Sequence, residues 1–109
     1  MLPLQISTVE TKKKIDAGEA RLLDCREPLE WDLARIEGAE LIPMNTVPAE
    51  VQRIEAMADG TTLVVYCHHG VRSLNVANWL RGQGIENVQS MAGGIDDWSL
   101  TVDRTVVRY

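Results

Sequence analysis

The sequence predicts one α/β domain over residues 1–109, with a mostly parallel central sheet and helices on both faces. Three observations support this fold. The chain of 109 residues has the length of a single domain. Short apolar runs alternate along it with segments of helical periodicity. One run, residues 62–66, is uncharged and rich in β-branched residues, which is typical of a strand buried on both faces of a parallel sheet.

Five helices are predicted, because each segment has residues that start and end a helix. Their expected limits are Ser7 to Gly18, Pro28 to Gly38, Asn45 or Thr46 to Gly60, Ser73 to Arg81, and Gly94 to Trp98. The first begins at a capping box, since Ser7 and Glu10 are three residues apart. In the third, Val47, Val51 and Ile54 recur on one helical face.

Four strands are predicted between these helices, over residues 20–25, 41–42, 62–66 and 88–90. Each is a short apolar run with turn or capping residues on either side. Strands that alternate with helices in this way are typical of parallel pairing. The sequence therefore favours one sheet with crossover helices.

Charge and hydropathy limit the possible partners. The net charge of −5 repels phosphate backbones, so we expect no nucleic-acid partner. No apolar run approaches the ~18 residues of a membrane span, and the first residues do not resemble a signal peptide. We therefore expect a cytoplasmic protein, without a membrane partner, in which Cys25 and Cys67 remain thiols.

The loop after the 62–66 strand contains the candidate active site. Ligands bind beyond the carboxyl ends of parallel strands, and Cys67 is the first residue there. Loop N–H groups and the following helix N-terminus are expected to surround its sulfur and stabilise the thiolate. Four residues separate Cys67 from Arg72, one fewer than in cysteine-dependent phosphatases. The smaller loop suits one extra sulfur atom better than a phosphoryl group.

Three segments resemble the signatures of single-domain rhodaneses, the thiosulfate sulfurtransferase-type domains. They are LLDCRE at 22–27 with Trp31 and residues 36–43, VVYCHHGVRS at 64–73, and MAGGIDDW at 91–98. The resemblance spans almost the whole chain and implies a three-layer rhodanese-like fold. There are two departures: the family often has Gly-His-Ile at residues 34–36, and it usually has an aliphatic residue in place of Cys25.

The resemblance implies a sulfurtransferase that needs no cofactor. We also expect no metal site, because the candidate ligands Cys67, His68 and His69 are adjacent and the chain has no further histidine. Cys67 would attack the outer sulfur of a thiosulfate-like anion and carry it as a persulfide to an acceptor. That acceptor is expected to be cyanide or a cellular thiol, including one on a thioredoxin-like protein. The expected substrate-binding residues are His68, His69, Gly70, Val71, Arg72 and Ser73. Their amides would hold the persulfide, and Arg72 would attract the anionic donor.

Two other functions stay open from the sequence. One is a non-enzymatic rhodanese-like module that carries sulfur, senses oxidants or binds a partner. The other is a small phosphatase or arsenate reductase. The intact Cys67 loop argues against the first, and the loop length argues against the second.

The remaining polar residues near these motifs have simpler interpretations. Cys25 is either a small buried residue or a resolving thiol that attacks an oxidised or persulfidated Cys67. The second alternative arises because the resemblance implies that the strand before Cys25 lies beside the strand before Cys67. Asp24, Arg26 and Glu27 are expected to form an ion-pair network beneath the loop. Arg35 either adds positive charge near the site or faces solvent. The tail, residues 102–109, is expected to pack across the surface without a chemical role.

Overall fold

The computed structural model describes all residues from Met1 to Tyr109. One sheet of five strands lies at its centre, and every neighbouring pair of strands is parallel. The strands are β1 (Gln5–Ile6), β2 (Ala20–Asp24), β3 (Glu40–Leu41), β4 (Thr62–Tyr66) and β5 (Val88–Met91), in the spatial order β1-β5-β4-β2-β3. The predicted parallel sheet is confirmed, and its strongest predicted strand, β4, is the central one.

Helices cover both faces of this sheet. They are α1 (Thr8–Asp16), α2 (Pro28–Leu33), a 3-10 helix (Met44–Glu50), α3 (Val51–Met57), α4 (Val71–Gly82) and α5 (Gly94–Thr101). The core under α3 and α4 differs from the core under α5, where Ile95 and Trp98 pack against the opposite face of the sheet. The three-layer α/β fold is therefore confirmed. None of the helices combines the length and apolarity required to traverse a bilayer.

Successive side chains of the central strands point alternately to these two faces. On one face, Leu23 and Val65 pack with residues of α3 and α4, whereas Leu22 and Val64 pack with residues of α5 on the other. All four side chains are at most 5% exposed. This alternation also places Cys25 and Cys67 in the α3–α4 core, two residues beyond Leu23 and Val65.

The structure differs from the predicted elements in several places. Helix α2 ends at Leu33 instead of the predicted Gly38, because the backbone of Ala34 is already extended. β1 was not predicted, because two residues show no periodicity; Gln5 pairs there with Ser90. The predicted helix after Asn45 is instead the 3-10 helix followed by α3. Pro48 lies inside the 3-10 helix and lacks the N–H that a continuous α-helix would use. Thr46 is not an N-cap, since its hydroxyl donates to the carbonyl of Pro43.

Candidate active site

The chain direction changes sharply just after Cys67, which directly follows β4 at the carboxyl edge of the sheet. Gly70 has a φ of +104° and leads into α4. A Cβ atom at Gly70 would lie 3.1 Å from the backbone N of Gly93, so the position needs both the conformation and the small size of glycine. The loop is thereby folded back over the end of its own strand, which brings its amides to the cysteine.

Two of these amides reach the Cys67 sulfur. The N–H of Gly70 donates to Sγ over 3.1 Å and the N–H of Ser73 over 3.3 Å. The Ser73 hydroxyl lies 3.4 Å from Sγ and 2.8 Å from the Ser90 hydroxyl on β5. The other predicted loop residues, His68, His69, Val71 and Arg72, donate no backbone hydrogen bond to the sulfur. Binding of substrate by any of the six residues stays a prediction.

The second cysteine is part of this environment. The Cys25 thiol acts as a hydrogen-bond donor to the Cys67 sulfur, and with the donors of Ser73 and Gly70 it lowers the pKa of Cys67 well below its ordinary range, although burial opposes this. The same hydrogen bond, together with burial, raises the pKa of Cys25. The two shifts are opposite, so this environment favours ionisation of Cys67 over ionisation of Cys25. The sequence had pointed only to the loop and the helix N-terminus as stabilising groups.

A buried ion pair lies beneath the loop. Asp24 and Arg26 are both fully buried, and Arg26 donates to the Asp24 carboxylate over 2.6 to 3.1 Å. Another guanidinium N–H donates to the Ala34 carbonyl over 2.6 Å. The predicted network is thus confirmed for Asp24 and Arg26 but is wrong for Glu27, which caps α2 at the surface. A buried charge needs such partners, because water cannot reach it.

Arg72 is held by a carboxylate that the sequence did not indicate. Its guanidinium donates to both oxygens of Glu30 on α2, over 2.6 and 2.9 Å. Hydrogen bonds from Arg72 hold the pKa of Glu30 down to about 2, against the effect of partial burial. Glu30 is therefore ionised at neutral pH. Any attraction of an anion by Arg72 competes with this pair.

The tail packs across the surface as predicted, and its last residue, Tyr109, reaches the edge of the candidate site. The Tyr109 ring stacks on His68, with ring centroids 3.9 Å apart. Its hydroxyl donates to Glu30 over 2.6 Å and accepts from Arg26 over 2.8 Å. Tyr109 thus connects the buried ion pair to the Glu30–Arg72 pair. Stacking and side-chain hydrogen bonds of this kind leave no local pattern in the sequence.

The two histidines occupy the outer side of the loop. Their ring centroids lie 3.8 Å apart in a stacked arrangement, and His69 is exposed. The nitrogens of His68 and His69 and a carboxylate oxygen of Asp96 lie within 4.8 Å of one another, which is a possible arrangement of three metal ligands. Arg108, however, already donates to Asp96 over 2.9 Å. An ion would have to displace this arginine.

Arg35 lies apart from the cysteine. It is exposed, and its guanidinium lies over the Trp31 ring, 5.0 Å from the centroid. Of the two interpretations of Arg35 from the sequence, the structure supports the one in which Arg35 faces solvent.

The largest surface cavity, about 720 Å³, lies between α1, α5 and the tail and is lined by none of residues 67–73. Cys67 itself is only 1% exposed, so a donor must move side chains to reach it.

The ionisation of Cys67 predicts an unusual pH profile for alkylation. An ordinary thiol reacts faster as pH rises towards a pKa of about 8.5, because only the thiolate attacks. Since the pKa of Cys67 is lowered, its iodoacetamide rate should be almost constant from about pH 6 to about pH 8 and fall only on further acidification. Cys25 should stay unmodified over this range. Peptide mapping after timed alkylation measures both sites, and a Cys67 rate that climbs about tenfold per pH unit would contradict the assignment.

Comparison with known proteins agrees with this geometry. The profile of the Rhodanese-like domain matches residues 7–101. The chain belongs to the rhodanese-like family. A rhodanese-related protein from Thermoplasma volcanium, whose crystal structure is known, is 27% identical and has a TM-score of 0.82; the match covers 98% of this chain and 100% of that one.

Two curated relatives show the range of proteins that contain this rhodanese domain. Thiosulfate sulfurtransferase GlpE from Tolumonas auensis is 36% identical, and the match covers 86% of each chain. Rhodanese-like/PpiC domain-containing protein 12, chloroplastic, from Arabidopsis thaliana is 32% identical over 97% of this chain but only 36% of its own. This chain spans 36% or less of the length of the first curated relatives it matches.

Proposed function

We propose that this rhodanese domain is a sulfurtransferase that carries sulfane sulfur as a persulfide on Cys67. The donor is a thiosulfate-like anion, and the acceptor is cyanide or a thiol, including one on a thioredoxin-like protein. The observation that carries the proposal is the set of donors from Gly70 and Ser73 on a thiolate at the edge of the sheet. A nucleophile prepared in this way is of no use to a module that only binds a partner.

The comparisons support the same reaction class. One relative that matches over most of its own length as well as over most of this chain is named a thiosulfate sulfurtransferase. The loop from Cys67 to Arg72 is also one residue shorter than a phosphatase loop. Both observations favour a single sulfur atom as the transferred group. The cytoplasmic location stays a prediction from the sequence.

The transfer proceeds in two displacements. The Cys67 thiolate attacks the outer sulfur of thiosulfate, the sulfur–sulfur bond of the donor breaks, and sulfite leaves with the electron pair. The new persulfide holds its negative charge on the outer sulfur. The N–H groups of Gly70 and Ser73, which already face Sγ, stabilise this charge in a site that excludes water. Cyanide or an acceptor thiolate then attacks the outer sulfur, and Cys67 leaves as a thiolate.

A donor-and-acceptor panel, measured by intact-mass spectrometry, tests this function. Brief treatment with thiosulfate should add one sulfur atom to the protein, and cyanide should remove it as thiocyanate. Phosphate esters and arsenate should give no turnover. Uptake of sulfur that only one protein partner can remove would indicate a dedicated carrier. A protein that takes up no sulfur from any donor would refute the proposal.

The Glu30–Arg72 pair predicts opposite effects for its two members. Arg72→Ala removes a cation near the loop and should raise the KM for thiosulfate about tenfold, as loss of one charge-assisted contact does. Glu30→Gln removes the competing carboxylate and should lower that KM. Transfer from an uncharged organic trisulfide should change much less in either variant. Steady-state kinetics with both donors decides the point, and equal losses with both donors in Arg72→Ala would exclude a role in attracting the anion.

A further inference from the structure

Two neighbouring strands, β2 and β4, are each followed directly by a cysteine. In the β2–β4 ladder, Asp24 is opposite Tyr66, and the next residues are Cys25 and Cys67. The N–H of Cys25 donates to the Tyr66 carbonyl over 3.1 Å, so the ladder continues to this point. Neighbouring strands lie about 4.8 Å apart, within the range of about 4.4–6.8 Å that a disulfide needs between Cα atoms.

Both side chains point to the same face of the sheet. They belong to the core cluster that contains Leu23 and Val65, two residues earlier in each strand. The residues just before them, Asp24 and Tyr66, are partners in the ladder, so the two cysteines follow side by side from neighbouring strands. Neither cysteine forms a disulfide in this structure. The pair can therefore join without a change of strand register or of side-chain face.

Burial separates this pair from external thiols. Cys25 is 0% and Cys67 1% exposed. An acceptor from solution must first open the loop, whereas Cys25 already faces the sulfur that would carry the persulfide. Cys25 is therefore the thiol with immediate access to the inner sulfur of the persulfide, which is the sulfur of Cys67 itself.

We propose that Cys25 is a resolving thiol that converts the Cys67 persulfide into free hydrosulfide and a Cys25–Cys67 disulfide. This step rests on the sulfurtransferase function proposed above and adds a second activity to it, the release of inorganic sulfide. Cys25 is then a catalytic residue, because its sulfur attacks the reacting atom.

The step balances without an outside reagent. The Cys25 sulfur bonds to the inner sulfur on Cys67, and the bond between the inner and outer sulfurs breaks. The outer sulfur leaves with the electron pair and takes the proton of Cys25, so it departs as hydrosulfide. The sulfane sulfur is reduced and the two cysteines are oxidised. A soluble dithiol restores both thiols by disulfide exchange before the next cycle.

The test compares the wild-type protein with Cys25→Ser. Serine keeps a hydroxyl donor beside Cys67 but forms no disulfide. Both proteins are loaded briefly with thiosulfate, desalted and incubated without any thiol. The wild type should lose the added sulfur, release about one equivalent of sulfide, and end two hydrogen atoms lighter than the reduced protein, with the two cysteine peptides joined. Cys25→Ser should retain its persulfide until cyanide removes it as thiocyanate.

Each outcome decides between the two proposals. If the wild type holds its persulfide, or if Cys25→Ser releases sulfide at the wild-type rate, the resolving step is refuted while sulfur transfer stands. If neither protein takes up sulfur, the proposed function itself fails and the step with it. Should Cys25→Ser fold poorly, Cys25→Ala replaces it, and the disulfide in the wild type remains a direct measurement.

Discussion

Cys67→Ser is expected to abolish both sulfur uptake from thiosulfate and cyanide-dependent thiocyanate formation. The donors of Cys25, Gly70 and Ser73 can stabilise a thiolate, but a serine hydroxyl stays protonated at neutral pH in the same position. Loss of the nucleophile should reduce turnover by about a thousandfold or more, as loss of a covalent nucleophile does in other enzymes. Intact mass after thiosulfate treatment and a thiocyanate assay measure the two losses.

Two controls make this result specific. The melting temperature of Cys67→Ser should stay within a few degrees of the wild type, because the two side chains have similar size. Cys25→Ser, which retains the nucleophile, should still take up sulfur. If Cys67→Ser gained a sulfur atom, the persulfide would lie elsewhere and the proposed mechanism would be wrong. A module that only binds a partner would keep that binding in Cys67→Ser, whereas a sulfurtransferase would lose sulfur uptake. The variant therefore separates the two functions.

Gly94→Ala is expected to disrupt the active-site loop and destabilise the domain. Gly94 begins α5 with a φ of +62° and lies against the loop. A Cβ atom there would contact the carbonyl oxygens of Cys67 and His68, at 2.5 Å from the former. The next residues of α5 donate to these same carbonyls, from Ile95 over 2.9 Å and Asp96 over 3.1 Å. The methyl group can fit only if α5 moves away from the loop and these bonds lengthen.

The expected loss of stability is about 3–5 kcal/mol, from the strain of a left-handed alanine and from overpacking. Gly60→Ala is the matched control: Gly60 has a φ of +71°, but nothing lies within 4 Å of its added Cβ. It should therefore lose only about 1–2 kcal/mol. Denaturant unfolding gives both values, and sulfur loading at low temperature reports on the loop. Equal destabilisation in the two variants would show that the contact with Cys67 and His68 does not matter.

Features that depend on neighbouring residues could be predicted from the sequence. The apolar run of β4 and the position of Cys67 after a buried strand are local patterns, and the structure confirms both of them. Ser7 also caps α1 as expected, accepting from the N–H of Glu10 over 3.1 Å. Two elements were not predicted correctly. β1 has only two residues and so shows no periodicity, and Pro48 lies in a 3-10 helix where an α-helical turn was predicted.

Contacts between distant segments could not be predicted in the same way. Arg72 pairs with Glu30, 42 residues earlier, and Tyr109 contacts Glu30 across 79 residues. The pattern around Glu30 indicates only a helix cap, and nothing around Tyr109 marks it as part of a site. Such pairs are selected by the packing of whole elements, so the local sequence carries no signal for them.

The sequence by itself determined the α/β fold, the parallel pairing of the strands and the cysteine at the edge of the sheet, because these depend on patterns within a few residues. Only the tertiary structure decided the surroundings of that cysteine. The register of β2 against β4 places Cys25 beside Cys67, and the close approach of Gly94 positions α5 against the loop. Both arise from three-dimensional packing, which brings residues far apart in the chain into contact.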